Sequence, residues 1–255
     1  MNKPIDCVYT IDGQGPHLFL IHGIGARRSV WANVVAQLKE RFTCISYDLR
    51  GHGESPIPES QFGLDDLVDD LESLRFKLGV EQAHVVGHSL GGMIGPAYAR
   101  RYPNRVLSLG LLSTAAFRTS DDSAKVKSVV MSMRENGVSQ ALGALTARWF
   151  TDGFAADHPN VIELRKKQVT ETPGDVFLNV FDIYANTEMS PWLHEITAPS
   201  LVLTGELDGG CNPRLNMQIA DAMPSSELVV LEGLKHAILI EAPDRVATSL
   251  KNFLV

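Results

Sequence analysis

Ala83-His84-Val85-Val86-Gly87-His88-Ser89-Leu90-Gly91-Gly92-Met93-Ile94-Gly95-Pro96-Ala97-Tyr98-Ala99-Arg100 is the stretch whose reading decides the fold. An apolar, β-branched run enters the pattern G-x-S-x-G and a helical stretch leaves it, so the segment predicts a strand, a sharp turn and a helix. Such a turn forces strained backbone angles on the serine and leaves no room for side chains two residues to either side, where glycine is required. Glycine and serine are common, and the five-residue pattern alone is weak. The strand before it and the helix after it give it weight. Ser89 is expected to be a nucleophile; the plain alternative is a serine that merely occupies a tight turn.

Outward from this segment, short apolar runs alternate with helical periodicity. Strands are expected over Cys7–Ile11, Leu18–Ile21, Thr43–Tyr47, His84–Val86 and Val106–Leu112, and helices near Val30–Arg41, Leu64–Leu78 and Leu90–Arg101. Leu18-Phe19-Leu20-Ile21 is apolar on both faces, as a parallel strand covered by helices must be. From 117 to 192 no strand pattern occurs, only helical stretches at Ser123–Glu135, Ser139–Phe150, Pro159–Thr170 and Pro173–Ala185. The alternation resumes with a strand at Ser200–Thr204, a helix at Pro213–Ala222, a strand at Leu228–Leu231 and a helix at Pro243–Leu254. This is an α/β chain, read as a core formed by 1–116 and 193–255 with a helical cap at 117–192 inserted between two strands of one sheet.

A serine hydroxyl needs a base to take its proton, and the base needs a carboxylate to orient it and stabilise its charge. On this turn the chain order is serine, acid, histidine, each following a strand. Of the eight histidines only His236 follows the last expected strand, within Gly233-Leu234-Lys235-His236-Ala237. Glu206 and Asp208 both follow the Ser200–Thr204 strand, and Asp208 is preferred. The place after the strand ending near Leu112 holds Ser113 and Thr114, which carry no charge. A tetrahedral intermediate needs backbone donors for its oxyanion. These are expected from the amide of Leu90, directly after the nucleophile, and of Ile24, in the loop His22-Gly23-Ile24-Gly25. That loop matches neither phosphate-binding glycine pattern, which removes nucleotide binding from consideration.

The 255 residues carry 23 basic and 30 acidic side chains, a formal charge of −7. An acidic chain without a basic run is a poor partner for nucleic acid or anionic membranes. Three distant cysteines, Cys7, Cys44 and Cys211, cannot form a complete disulfide set, and no signal-like or membrane-spanning run is present, so a cytoplasmic protein with free thiols is expected. Within the cap, Trp149, Arg148 and Arg118 are candidate substrate contacts, the arginines for a substrate carboxylate.

The chain resembles the α/β-hydrolase family in His22-Gly23 with Trp31 downstream, in Asp48-Leu49-Arg50-Gly51-His52-Gly53-Glu54-Ser55, in Gly87–Gly91, in Gly205–Asp208, and in His236 with Glu241-Ala242-Pro243. Within that family it is most similar to the 3-oxoadipate enol-lactonase and carboxylesterase group, whose cap motif Ala147-Arg148-Trp149-Phe150-Thr151 resembles. Serine at position 89 sets it apart from the dehalogenases and epoxide hydrolases of the fold, which carry aspartate there. The resemblance implies a mostly parallel eight-stranded sheet flanked by helices, with the cap inserted after the sixth strand. It implies a Ser89–His236–Asp208 hydrolase that uses neither metal nor organic cofactor and cleaves a small carboxylic ester or enol-lactone through an acyl-enzyme. Two other readings share the fold: hydrolysis of a C–C bond in aromatic meta-cleavage products by the same triad, and a non-catalytic ligand receptor, which would be expected to have lost the triad. No heptad or apolar stripe speaks to oligomeric state.

Overall fold

The computed structural model describes residues 2–254. Its elements in chain order are β1 (Tyr9–Gly13), β2 (His17–Ile21), α1 (Ala32–Leu38), β3 (Thr43–Tyr47), α2 (Leu64–Lys77), β4 (Ala83–His88), α3 (Gly91–Arg101) and β5 (Val106–Leu112). Five helices follow: α4 (Ser120–Asn136), α5 (Val138–Trp149), α6 (Asp152–Asp157), α7 (Pro159–Glu171) and α8 (Gly174–Asn186). The chain closes with β6 (Ser200–Gly205), α9 (Pro213–Ala222), β7 (Ser226–Leu231), α10 (Ile238–Glu241) and α11 (Pro243–Phe253). Proline in the first turn of α7, α9 and α11 explains why these starts are readable from sequence: its fixed φ suits a first turn, where no N–H is needed.

One sheet runs in the order β1-β3-β2-β4-β5-β6-β7, with β1 antiparallel to β3 and every other pair parallel. Period-two alternation sends Leu18 and Leu20 to one face, where they pack with Trp31, Leu38, Leu203 and Leu250. Phe19 and Ile21 go to the other face, with Leu67, Val85, Met93 and Leu109. That second cluster continues into the inserted helices through Val130, Leu145, Phe177 and Val180.

The described sheet has seven strands rather than eight, and the helical insertion follows the fifth strand rather than the sixth. The segment before β1 directs its N–H groups to side chains, Ile5 to Asp70 (2.9 Å) and Val8 to Ser55 Oγ (2.9 Å), while the Val8 carbonyl accepts the Asp48 N–H (2.9 Å). The same contacts move the first strand from the expected Cys7–Ile11 to Tyr9–Gly13, where Tyr9 pairs with Tyr47. Two short helices, α6 and α10, were not expected. Neither is long enough to show a helical period.

The strand order reverses around β2, since β3 lies on one side of it and β4 on the other. Loops leaving the carboxyl ends of β2 and β4 therefore diverge and open a crevice, the usual place for a ligand in an open α/β sheet. The register pairs Ile21 with Gly87, so the crevice is bounded by the loop that begins at His22 and the turn that carries Ser89.

Candidate active site

Ser89 sits at φ +57°, in the left-handed region that a non-glycine residue seldom occupies. Its N–H donates to the Leu112 carbonyl (2.8 Å), and Thr114 Oγ1 donates to its carbonyl (3.0 Å), so the end of β5 and the loop after it hold the strained residue in place. A Cβ on Gly87 would strike the backbone of Gly91, and one on Gly91 would strike the Ile21 carbonyl at the end of β2. The two glycines of the motif are thus required by backbone packed against backbone. A Cβ on Gly23 would lie 2.8 Å from Ser89 Cβ, which shows how closely the loop after β2 abuts the serine. Ile24 and Leu90 are buried residues, and among the described residues neither N–H has a hydrogen-bond acceptor. Two orphan amides flanking one serine are unusual, because buried backbone donors are nearly always paired.

His236, in the loop after β7, donates from Nδ1 to Asp208 Oδ2 (2.7 Å), and Asp208 is buried just after β6. Oδ1 of Asp208 accepts the N–H groups of Gly210 (2.9 Å) and Cys211 (2.8 Å), which fixes the carboxylate plane. Glu206, the other candidate acid, accepts the Gly233 N–H (2.9 Å) at the surface and does not reach the histidine. Burial disfavours the charged imidazole of His236, but the charge and hydrogen bond of Asp208 outweigh it and raise the ring above its ordinary value. Burial raises the Asp208 carboxyl, and the His236 charge with its hydrogen bonds more than reverses this, leaving it below the carboxylate norm. His88 Nε2 donates to the His236 carbonyl (3.0 Å), and the two rings lie 4.9 Å apart. No hydrogen bond joins Ser89 Oγ to His236, although both line one cavity. Such contacts are commonly long before substrate binds.

Two further histidines pin the loop after β2. His22 Nε2 accepts the Leu49 N–H (3.0 Å), so its proton is on Nδ1, which donates to the Gly23 carbonyl (2.8 Å). By the same logic His52 Nε2 accepts the Gly25 N–H (3.1 Å) and Nδ1 donates to the Arg50 carbonyl (3.0 Å). Both rings are fully buried, and burial pushes His22 down to about 4 and His52 to about 3. The motif Asp48–Ser55 thereby becomes legible as a set of anchors. Asp48 takes the Arg28 N–H (2.6 Å), Arg50 forms a buried bidentate pair with Asp70 (2.6 and 2.7 Å), and His52 holds Gly25.

A cavity of about 130 Å³ lies over Ser89, between the sheet ends and the inserted helices. Its volume is roughly ten times what one water needs, so it accommodates a small organic molecule. Its wall combines Ser89, Asp208 and His236 with apolar groups such as Phe150, Phe181 and Leu145 and with two cations, Arg148 and Arg165.

A family model described as the α/β-hydrolase fold matches residues 16–160, more than half of the chain. The chain belongs to the α/β-hydrolase family. Among its relatives, a 3-oxoadipate enol-lactonase of Acinetobacter baylyi is 27% identical over 237 residues, covering 92% of this chain and 88% of the relative. A pimeloyl-[acyl-carrier protein] methyl ester esterase of Aeromonas hydrophila is 27% identical over 253 residues, covering 95% and 96%. Among solved structures, the enol-lactonase from Burkholderia xenovorans superposes with a TM-score of 0.91 at 27% identity, covering 97% of this chain and 96% of that one.

In this α/β-hydrolase the three candidate substrate contacts separate. Arg148 and Trp149, at the end of α5, line the cavity. Arg118 does not: its guanidinium donates to the carbonyls of Tyr184 (3.0 Å) and Thr187 (3.2 Å) at the end of α8 and covers the Tyr184 ring at 4.3 Å. There it satisfies helix-terminal carbonyls, the usual employment of a cation at that end. Arg165, absent from the sequence reading, lines the cavity instead. Ile162, Arg165 and Val169 are buried on one face of α7, and that spacing was the available signal. It was obscured because Arg165-Lys166-Lys167 reads as a solvated run.

The side-chain donors of Asp208, Cys211 and His236 lie within 4.8 Å of one another and are the described group able to hold a metal, but the carboxylate and imidazole are already engaged with each other. The three cysteines are buried and unpaired. Among the described residues no helix is long and apolar enough to cross a membrane.

Proposed function

We propose that this chain is a serine hydrolase that cleaves a small carboxylic ester or lactone by way of an acyl-enzyme. The observation that carries the reading is the pair of unpartnered Ile24 and Leu90 N–H groups beside a strained serine, in a cavity that also presents an Asp208-oriented imidazole. The names of the enol-lactonase and esterase relatives support the substrate class. Ser89 Oγ attacks the acyl carbonyl carbon while its proton passes to His236 Nε2, and the carbonyl oxygen becomes an oxyanion held by the two amides. The C–O bond to the leaving group breaks, and that oxygen takes the proton from His236. Water, deprotonated by the same ring, then attacks the acyl carbon and releases Ser89 and the carboxylic acid. Residues 117–192 act as a cap that closes the cavity over the core of 1–116 and 193–255.

The test is labelling by a fluorophosphonate together with hydrolysis of a p-nitrophenyl ester and an enol-lactone. Wild type should be labelled at Ser89, and Ser89→Ala should lose both labelling and roughly four or more orders of magnitude in turnover. Near wild-type hydrolysis by Ser89→Ala would end the proposal. Cleavage of a ring-cleavage dienoate with both esters untouched would replace ester by C–C bond hydrolysis.

A further inference from the structure

Helix α7 reaches back onto the loop after β2, and it does so through a cation. Arg165 is 8% exposed, and its guanidinium donates to the carbonyl of Ile24 (2.9 Å) and to that of Gly25. The Trp149 ring lies under it at 4.8 Å. Among the described residues no carboxylate pairs with Arg165. Burial therefore lowers it to about 10, and the neighbouring Arg27 charge adds to the effect. A guanidinium buried without an anion is costly, and mere packing would be served better by an apolar side chain.

The arrangement of its bonds shows what the cation does. One peptide plane, Ile24–Gly25, is gripped at both ends: Arg165 takes its carbonyl, and His52 takes its N–H. The preceding plane carries the Ile24 N–H, and its Gly23 carbonyl is held by His22. The Ile24 amide thus sits between two immobilised groups, and only one of these restraints comes from outside the core of the sheet. Other contacts from the same region reinforce it. A Cβ on Gly25 would lie 2.7 Å from the Phe177 ring and 3.3 Å from the Val169 side chain, and Arg27 at the loop end pairs with Glu171.

We propose that Arg165 is a positioning residue for the oxyanion loop, holding the Ile24–Gly25 peptide so that the Ile24 N–H meets the developing oxyanion and the chemical step depends on the seating of α7. This rests on the reading of Ile24 as an oxyanion donor. The uncompensated charge acts in the same direction, since it favours negative charge in the cavity as the tetrahedral intermediate forms.

The experiment compares wild type, Arg165→Ala and Arg165→Lys on two esters of similar size, p-nitrophenyl butyrate and mono-p-nitrophenyl glutarate, with and without millimolar guanidinium ion. Arg165→Ala should lose about 10- to 100-fold in kcat on both esters with KM changed less than about threefold, less than the loss expected for removing an oxyanion donor outright. Affinity for a phenylboronic acid, whose adduct with Ser89 places an oxygen in the oxyanion position, should fall in step. Guanidinium ion should restore part of the rate. Arg165→Lys, which keeps charge but lacks the fork that spans two carbonyls, should fall between the two and serves as the test should Arg165→Ala not fold. Unchanged kcat in the variants would overturn the proposal, and so would a loss confined to the glutarate ester, which would make Arg165 a reader of substrate anions. These outcomes are separate from failure of the serine mechanism, which Ser89→Ala reports.

Discussion

At the scale of single residues, the site is governed by which groups are paired and which are left unpaired. The Asp208 carboxylate has three donors, and its charge holds the His236 ring above the usual imidazole value despite burial. A general base must be neutral to accept a proton, so kcat/KM for an ester whose cleavage is chemistry-limited should fall on acidification, with a midpoint above the ordinary value of about 6.5. Asp208→Asn removes the stabilising charge but leaves the burial. Its midpoint should move down, and kcat should drop by about four orders of magnitude as the ring loses its orientation. A pH–rate profile of the two proteins decides the matter; superimposable profiles would rule out this pairing as the source of basicity. Ser89, Asp208 and His236 line one cavity, and their places after β4, β6 and β7 are readable from the chain order alone. His88 gives no such signal. Its bond to the His236 carbonyl spans 148 residues and leaves no local trace.

At the scale of elements, the turn between β4 and α3 is the least tolerant joint in the chain. Gly91 lies against the Ile21 carbonyl, so Gly91→Ala must push the start of α3 away from the end of β2. A loss of about 3 kcal/mol or more is expected in urea unfolding, along with loss of hydrolysis. Gly143, exposed in the middle of α5 with open space around its Cα, provides the contrast: Gly143→Ala should stabilise by about 0.5–1 kcal/mol through helix propensity. If Gly91→Ala unfolds at the wild-type midpoint, the packing argument for the motif fails. Most elements could be read in advance because α3, α7, α9 and α11 combine helical period with glycine or proline punctuation. β1 slipped by two residues since its position is set by pairing with β3 and by the Val8–Ser55 bond, neither of which is a property of its own composition.

At the scale of the whole molecule, four buried histidines, His22, His52, His84 and His88, make the fold sensitive to acid, since burial lowers each ring. Burial holds His22 down to about 4 and both His52 and His88 to about 3. The unfolded chain takes up these protons near 6.5 and the folded chain refuses them until far lower, so this stabilisation is complete above 6.5 and is lost as pH falls toward 4 and 3. Each ring contributes about 1.4 kcal/mol per pH unit in that window. His236 has the opposite sign: its share is full below 6.5 and fades as pH rises through its elevated folded value. Urea midpoints measured from pH 4.5 to 6.5 should rise steeply, and a flat response would show that these rings are not neutral in the folded state.

The sequence by itself determined where the chain turns sharply, which faces are apolar and the order in which nucleophile, acid and base arrive. These depend on sterics between near neighbours and on period, and both are written locally. Only the tertiary structure decided how many strands join the sheet and which arginines stand at the site. Arg118 is spent on the end of α8 and Arg148 lines the cavity, while Arg165 crosses 140 residues to grip the Gly25 carbonyl. Helical phase tells which face of α7 is turned inward. What that face meets depends on how the inserted helices seat on the sheet, and that is settled by packing across the whole molecule.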